Sequence, residues 1–390
     1  MTPYYQRQFT QSLTIEGWRG INHSFALVNQ FQLLELVKYT NLTLSHADVP
    51  FHFPHWNQAT NGAGFHSVDE TILSQISTPT HETSSGWTFR IHSPVNLTPP
   101  ATGGKLAVFL VTELGLDENT FSKGSDITQF QAAGGIIITP SNWSRNLIID
   151  WGFHPDNVHV ISHGASKDYF FPLPNETIKL QRAALSFPEN EILLLNIGAA
   201  IWNKGIDILL KGFATARQQR KDIRLVFKDQ RNTYGISGET YIQSTLSNAG
   251  LLSDDVLKAI TLIPANLTMD QMNAMYGIAD CYVSPYRAEG FNLPVCEAMA
   301  CGTPVIATAG GATDDFISNS THQKIESKLY KNTVVQGNKR CSYREPELEH
   351  LIEILINIKP KNTDLSSMSK ISNDSLEWQL PVNQLLSLLT

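Results

Sequence analysis

Twice along this chain, short apolar runs of strand length alternate with longer stretches of helical spacing, and the alternation pauses once near the middle. No other feature narrows the fold as much. In the first series, Leu13–Glu16 reads as a strand, followed by a glycine turn over Gly17–Gly20 and a helix over about Ser24–Tyr39. Strands are expected over Leu106–Thr112, Gly135–Thr139 and Val158–Ile161, with Ser141 as N-cap of a helix over Trp143–Trp151. The segment Tyr169–Asn175 holds two prolines and little periodicity, and reads as a linker. The second series has strands over Ile192–Ile197, Leu225–Lys228, Ile260–Ile263 and Cys281–Ser284. Helices fall between them over Gly205–Gln219, Tyr241–Ala249 and Met269–Ile278.

Such alternation implies parallel strands joined by crossover helices. The expected fold class is α/β, with two Rossmann-like doubly wound domains facing across a cleft. Residues 1–175 form the expected first domain and 176–375 the second. Ser318–Arg344 reads as weakly patterned and loop-rich, Pro346–Ile358 as an amphipathic helix, and Ile358–Ser375 as a polar connection. Trp378–Leu389 has the apolar spacing of a terminal helix. The two halves share no internal sequence repeat of solenoid length.

The length of 390 residues accommodates two cores. Hydrophobic residues make up 42% and charged residues 17%, with a formal net charge of -7 and no lysine or arginine block. That balance argues against a nucleic-acid groove. No apolar run reaches membrane-span length and the polar N-terminus does not read as a signal peptide. The expected location is cytoplasmic, and a peripheral membrane contact is compatible with it. The four cysteines lack metal-type spacing and read as small buried hydrophobes in a reducing compartment. Asn-x-Ser/Thr triplets, as at Asn22 and Asn142, read as chance matches.

The richest functional signal lies in residues 282–307, YVSPYRAEGFNLPVCEAMACGTPVIA. Glu289 and Glu297 flank a Gly-Phe-Asn-Leu-Pro turn that leads from a strand into a helix. The free N–H groups opening such a helix, at Gly290, Phe291, Asn292 and Leu293, favour a phosphate. Glu297, about one turn inside, reaches neighbouring hydroxyls such as a ribose edge, and Glu289 sits nearer the reacting centre. Isolated glutamates are usually solvated surface groups; embedded in this turn, a binding role is the better reading.

The stretch EGFNLPVCEAMACGTPVIAT resembles the E-x7-E signature of retaining glycosyltransferases of family 4, which have the GT-B fold. NIGAAIWNKGIDILLKGF (196–213) resembles that family's glycine–basic–loop–Lys-Gly segment, and VISHGASKDYFF (160–171) its interdomain passage. Gly20-Ile21-Asn22 resembles, loosely, the glycine loop that closes over the donor phosphate. The helix after Glu377-Trp378 looks like the family's terminal helix, so residues 376–390 are expected to pack back on the first domain. The resemblance implies a nucleotide-sugar donor bound by the second domain. It implies Lys204 on the diphosphate, Glu297 on the ribose, and Glu289 with Gly290–Leu293 around the sugar and β-phosphate. Gly20 and Ile21 would approach the phosphates from the first domain. A fixed lysine and aligned amides stabilise negative charge where the leaving diphosphate develops it.

There are departures from the pattern. The family usually has arginine where Ala199 stands, and Lys228, ending the next strand, is expected to replace it as a point charge lacking the bidentate fork. Asn292 takes a frequent glycine position, and its backbone N–H survives. Thr112-Glu113 stands where many members have an acceptor-side histidine; Glu113 reads equally as an acceptor contact or a surface group. His163 reads equally as cleft lining or as a structural histidine, and His23 as a phosphate neighbour or an exposed helix start. His46, His52, His55 and His66 mix with Phe53 and Trp56 in what reads as an aromatic loop region over the acceptor, without metal spacing. Asp254-Asp255 and Asp314-Asp315 read as caps or turns.

The expected function is therefore a retaining glycosyltransferase. It would move a sugar from a UDP- or GDP-sugar to a hydroxyl of a saccharide, lipid-linked or protein acceptor. No tightly bound cofactor and no required metal are expected. Two alternatives stand: a GT-B epimerase or phosphorylase, and a non-catalytic sugar-nucleotide-binding subunit, the latter motivated by Ala199.

Overall fold

The computed structural model describes residues 12–80, 86–101, 103–317, 322–335, 337–361 and 376–389. The chain divides into two compact units. The first comprises Met1–Gly164, Asn332–Cys341 and Glu377–Thr390; the second comprises Ala165–Lys331 and Ser342–Leu376.

The first unit is built on β1 (Ser12–Gly17), β2 (Thr43–Asp48), β3 (Trp87–Ile91), β4 (Lys105–Phe109), β5 (Ile136–Thr139) and β6 (Val158–Val160). They form one sheet in the order β2-β1-β3-β4-β5-β6, every pairing parallel. Ile15 on β1 lies between His46 and Phe89 in register, and all three are buried. Helix α1 (Ser24–Leu36) crosses from β1 to β2, starting at His23, whose Nδ1 accepts from the Phe25 N–H at 3.3 Å. Two short helices, α2 (Gln58–Asn61) and α3 (Ser67–Gln75), lie between β2 and β3. The helix Gln379–Leu388 also belongs to this unit. Trp378 stacks on Phe31 at 5.6 Å, and Tyr39 Oη donates to Asn383 Oδ1 at 2.8 Å.

The second unit is built on β7 (Ile192–Gly198), β8 (Ile223–Asp229), β9 (Ile260–Ile263), β10 (Cys281–Ser284), β11 (Val305–Thr308) and β12 (Gln323–Ile325). Their order is β12-β11-β10-β7-β8-β9, again parallel throughout. Strand β7 reads ILLLNIG and is buried at every position, as a central parallel strand covered on both faces must be. Its principal helices are α4 (Ile206–Gln219), α5 (Met269–Ile278) and α6 (Leu293–Ala300).

Several expectations need correction. The first stretch of the first unit runs to Gly164, not to residue 175, and Tyr169 and Phe170 are buried in the second unit, where Phe170 packs its ring on Tyr276 at 6.0 Å. The stretch read as loop-rich holds β12 and a hairpin, β13 (Ser327–Val335) with β14 (Asn338–Pro346). Gly337, at φ +87°, turns the hairpin, and Tyr330 stacks on Tyr343 across it at 5.0 Å. Polar faces on both strands hide such a hairpin from hydropathy. Strands β2 and β3 were not anticipated either. His46, read as part of a loop, is a buried β2 residue, held neutral because burial and the Arg19 charge lower its pKa to about 4. Most of 358–375, read as a connection, falls outside the described residues.

Candidate functional site

In the second sheet the chain runs outward from β7 to β9, then returns to β10 on the other side of β7. The order reverses between β7 and β10, and in open α/β sheets ligands bind at the carboxyl ends of strands at that reversal. Two turns leave those ends, Ala199–Gly205 after β7 and Pro285–Asn292 after β10. They touch closely. Gly205 has φ +66°, and a Cβ there would sit 1.8 Å from the Pro285 carbonyl oxygen, so only glycine fits. The Arg287 and Ala288 N–H groups both donate to the Asn203 carbonyl, at 2.7 and 3.2 Å.

This contact brings the predicted pair together. Lys204 Nζ lies 2.7 Å from Glu289 Oε2, with the lysine side chain 24% exposed and the glutamate 9%. Beneath them, Arg287 bridges two carboxylates. It reaches Asp207 at 2.7 and 2.9 Å and Glu345 at 2.7 and 2.9 Å, and its guanidinium lies 4.8 Å from the Trp202 ring centroid. Burial disfavours the Arg287 charge, but the two carboxylates more than offset this and raise its pKa.

Asn292 opens α6 in the left-handed region, at φ +79°, which asparagine tolerates. Its side-chain amide donates to Ser284 Oγ at 2.9 Å, which fixes the turn. Within the first turn of α6, Pro294 has no N–H, and the Val295 and Cys296 N–H groups donate to the Asn292 carbonyl at 3.1 and 3.4 Å, so Leu293 presents its amide at the helix start. Phe291 points into the core and stacks on Phe316 at 4.7 Å. Gly290 is buried in the same turn.

Glu297 lies one turn into α6 and is 7% exposed. The fully buried Tyr276, on α5, donates from Oη to Glu297 Oε2 at 2.6 Å. Burial pushes the Glu297 carboxyl up to about 7, and the Tyr276 hydrogen bond partly opposes that rise.

Other expected contributors sit elsewhere. Lys228 is 2% exposed and its ammonium donates to the Asp229 carbonyl at 2.9 Å, with burial lowering its pKa. It is a buried charge turned onto its own strand, and Ala199, where the arginine was expected, is itself buried. In the first unit, the Gly20 N–H already donates to Gln30 Oε1 at 2.8 Å, and Ile21 is a core side chain, 1% exposed beside Trp18 and Trp56. The Gly20 amide is thus engaged, not open to a phosphate. Glu113 is half-buried, and its carbonyl accepts from Trp143 Nε1 at 2.8 Å. His163 is buried between Phe109 and Trp378, with ring centroids 5.5 and 5.6 Å away, and burial lowers its pKa to about 3. Asp254 and Asp255 lie in the first turn of a helix capped by Ser253, and Asp314 accepts from the Gly310 N–H. Among the described residues there is no His, Cys, Asp and Glu group able to hold a metal ion.

Sequence reasoning missed Arg287 and Tyr276. Arg287 carried a signal: a lone cation inside a stretch buried from Cys281 to Gly290 needs partners. Tyr276 carried none, since only the packing of α5 on α6 brings it to Glu297.

Known proteins resemble this chain in sequence over part of its length and in fold over most of it. Residues 177–326 match the family model described as glycosyl transferases group 1. The mannosylfructose-phosphate synthase of Agrobacterium fabrum is 27% identical over 180 residues, covering 45% of this chain and 38% of that protein. The D-inositol 3-phosphate glycosyltransferase 1 of Catenulispora acidiphila is 26% identical over 259 residues, covering 66% and 57%. The chain therefore spans less than two thirds of these relatives. Among solved structures, a glycosyltransferase from Rickettsia africae superposes with a TM-score of 0.65 at 14% identity, covering 98% of each chain. Anabaena Alr3699/HepE, solved in complex with UDP and glucose, gives 0.62 at 14% identity, covering 97% of this chain and 98% of that one.

The fold is GT-B. In GT-B terms, the unit that matches the family model is also the one holding Lys204, Glu289 and Glu297. Among the described residues, no helix is long and apolar enough to cross a membrane.

Proposed function

We propose that the chain is a retaining glycosyltransferase that moves a hexosyl group from a UDP- or GDP-sugar to a hydroxyl of a saccharide or other acceptor. One observation carries the reading: the Lys204–Glu289 ion pair at the reversal of the second sheet, with Glu297 one helical turn beyond it. In this reading Lys204 and the Leu293 amide that opens α6 stabilise charge developing on the diphosphate as the glycosidic bond breaks. Glu289 holds Lys204 and faces the sugar, and Glu297 accepts from the ribose hydroxyls. Among the described residues no side chain has the setting of a covalent nucleophile, so the acceptor attacks on the face the diphosphate leaves, and the leaving phosphate takes its proton.

Because Lys204 supplies the countercharge, transfer is expected to persist in EDTA, without a metal or a tightly bound cofactor. The expected setting is the cytoplasm, with membrane contact only at the periphery. The test is a thermal-shift screen of UDP-, GDP- and ADP-sugars on the full chain, followed by NMR of the product anomer. Saturation at 100 times the dissociation constant stabilises by about 2.7 kcal/mol. An inverted linkage would sink the retaining assignment. A non-catalytic sugar-nucleotide-binding subunit is the second reading, favoured by the apolar Ala199 and by the engaged Gly20 amide. Binding without turnover across acceptors would establish it.

A further inference from the structure

The first unit contains a cavity of about 870 Å³ that the reading above does not use. It opens at the carboxyl ends of β1 and β2 and is walled by α2 and α3, with Arg19, Asp48, Phe51, Gln58, Phe65 and Glu70 among its lining. Its size falls in the range of small-molecule sites, about 300–1,000 Å³. Its position, at the carboxyl ends of parallel strands, is where α/β units receive ligands.

The charges of the lining decide what fits. Arg19 clamps Asp48 through Nε at 2.9 Å and Nη2 at 2.6 Å, and its Nη1 donates to the Leu73 carbonyl at 2.5 Å. Both faces of its fork are thereby used. Behind the pair, His46 is neutral at physiological pH for the reasons given above, so it adds no cation. Glu70, exposed on α3, adds a second carboxylate. Among the described lining residues the carboxylates outnumber the cations by one, and the only cation is spent. A phosphate entering here would meet like charge with nothing to neutralise it. A polyhydroxylated ring meets what it needs. Asp48 and Glu70 accept from hydroxyls, the Gln58 amide can donate and accept, and the Phe51 and Phe65 rings offer an apolar wall for the ring's C–H face. Phe65 is fixed by its own contact with Phe31, centroids 5.0 Å apart.

We propose that this cavity is the acceptor site, and that it takes an uncharged sugar or cyclitol ring in preference to a phosphorylated one. The proposal rests on the glycosyltransferase reading and narrows its acceptor class.

The test uses the full chain and two exposed positions, neither in the donor machinery. Ala59→Trp, at a lining position on α2, fills the cavity; Glu70→Lys reverses one charge. Saturation-transfer NMR without any donor measures binding of methyl α-glucoside and myo-inositol, and of glucose 6-phosphate and inositol 1-phosphate. Neutral probes should bind the wild type. Ala59→Trp should weaken them at least tenfold while UDP affinity stays within twofold. Glu70→Lys should improve the phosphorylated probes about tenfold. Tighter binding of the phosphorylated probes by the wild type overturns the charge argument. Neutral probes unaffected by Ala59→Trp, or no carbohydrate bound at all, overturns the site. If no nucleotide diphosphate stabilises the chain, the transferase reading fails, while the NMR titration still decides whether the cavity holds a neutral ring.

Discussion

Replacing Tyr276 with phenylalanine removes one hydroxyl and should move the pH dependence of donor use. Glu297 is 7% exposed, and burial raises its pKa from the ordinary 4.5 to about 7. That rise is equivalent to about 3 kcal/mol of disfavour for the ionised form. The Tyr276 hydroxyl, 2.6 Å from Oε2, is the hydrogen bond that holds the pKa from rising further. A hydrogen bond to a charged group is worth about 1.5–3 kcal/mol, so its loss should shift the Glu297 pKa upward by about one to two pH units. If ionised Glu297 receives the ribose, kcat/KM for the donor rises with pH through about 7 in the wild type and at a higher pH in the variant, since kcat/KM reports the free enzyme. Stability moves in the opposite sense. The folded chain holds this proton more tightly than the unfolded one, so the contribution is complete below the unfolded pKa and is lost as pH climbs through about 7. The variant should therefore be more destabilised at pH 8 than at pH 6. The assays are initial rates against donor concentration from pH 5.5 to 9, with thermal unfolding at both ends. An acid limb that stays in place or moves down in Tyr276→Phe would refute the reasoning. So would an unaltered limb in Glu297→Gln, because the titration would then belong to another group.

Other perturbations separate the remaining roles. Gly205→Ala forces a Cβ onto the Pro285 carbonyl at positive φ and should cost about 2–4 kcal/mol, read by urea unfolding, with donor binding weakened in parallel. Lys204→Met should lower kcat/KM for the donor by about 10²–10³-fold, the usual scale for losing one fixed stabiliser of developing charge; a loss under fivefold would remove Lys204 from the mechanism. Arg287→Met leaves Asp207 and Glu345 without their shared partner and should cost about 2 kcal/mol, discounted for their partial exposure. Lys228→Met replaces a buried ammonium with a side chain of similar length. Its thermal midpoint should hold or rise and its donor KM stay within twofold; a tenfold rise in KM would restore Lys228 to the donor site.

Much of the second unit was legible because its strands are buried on both faces and read as continuous apolar runs. ILLLNIG is the clearest case, and the Gly205 that follows it is dictated by close backbone contact with Pro285. The first unit was less legible where strands carry polar residues. β2 reads TLSHAD, and nothing in that composition announces a parallel strand; its His46 is buried because β1 pairs alongside it. The hairpin of β13 and β14 failed for the same reason. Within the site, Lys204, Glu289 and Glu297 were legible because one local turn and one Lys-Gly step carry them. What Lys228 reaches was not legible, because strand-end position fixes where a Cα lies but not where a long side chain goes. Here the nearest acceptor is the neighbouring carbonyl.

The two glutamates that flank the turn end up in different electrostatic settings, and that difference is what the turn builds. Glu289 stands against the Lys204 ammonium, whose position is fixed by the Gly205–Pro285 contact and by the backbone bonds to Asn203. Glu297 faces no cation; its one hydrogen-bonding partner among the described residues is a neutral tyrosine. A carboxylate already paired contributes orientation, because its charge is balanced before a ligand arrives. A carboxylate poised near neutrality by burial behaves differently, since each hydroxyl that donates to it stabilises its ionised form and lowers its pKa. Donor binding at Glu297 should then release a fraction of a proton near pH 7, visible in calorimetry as a binding enthalpy that depends on the buffer's ionisation heat. Proton release at pH 7 that survives Glu297→Gln would show that the division of roles between the two carboxylates is wrong.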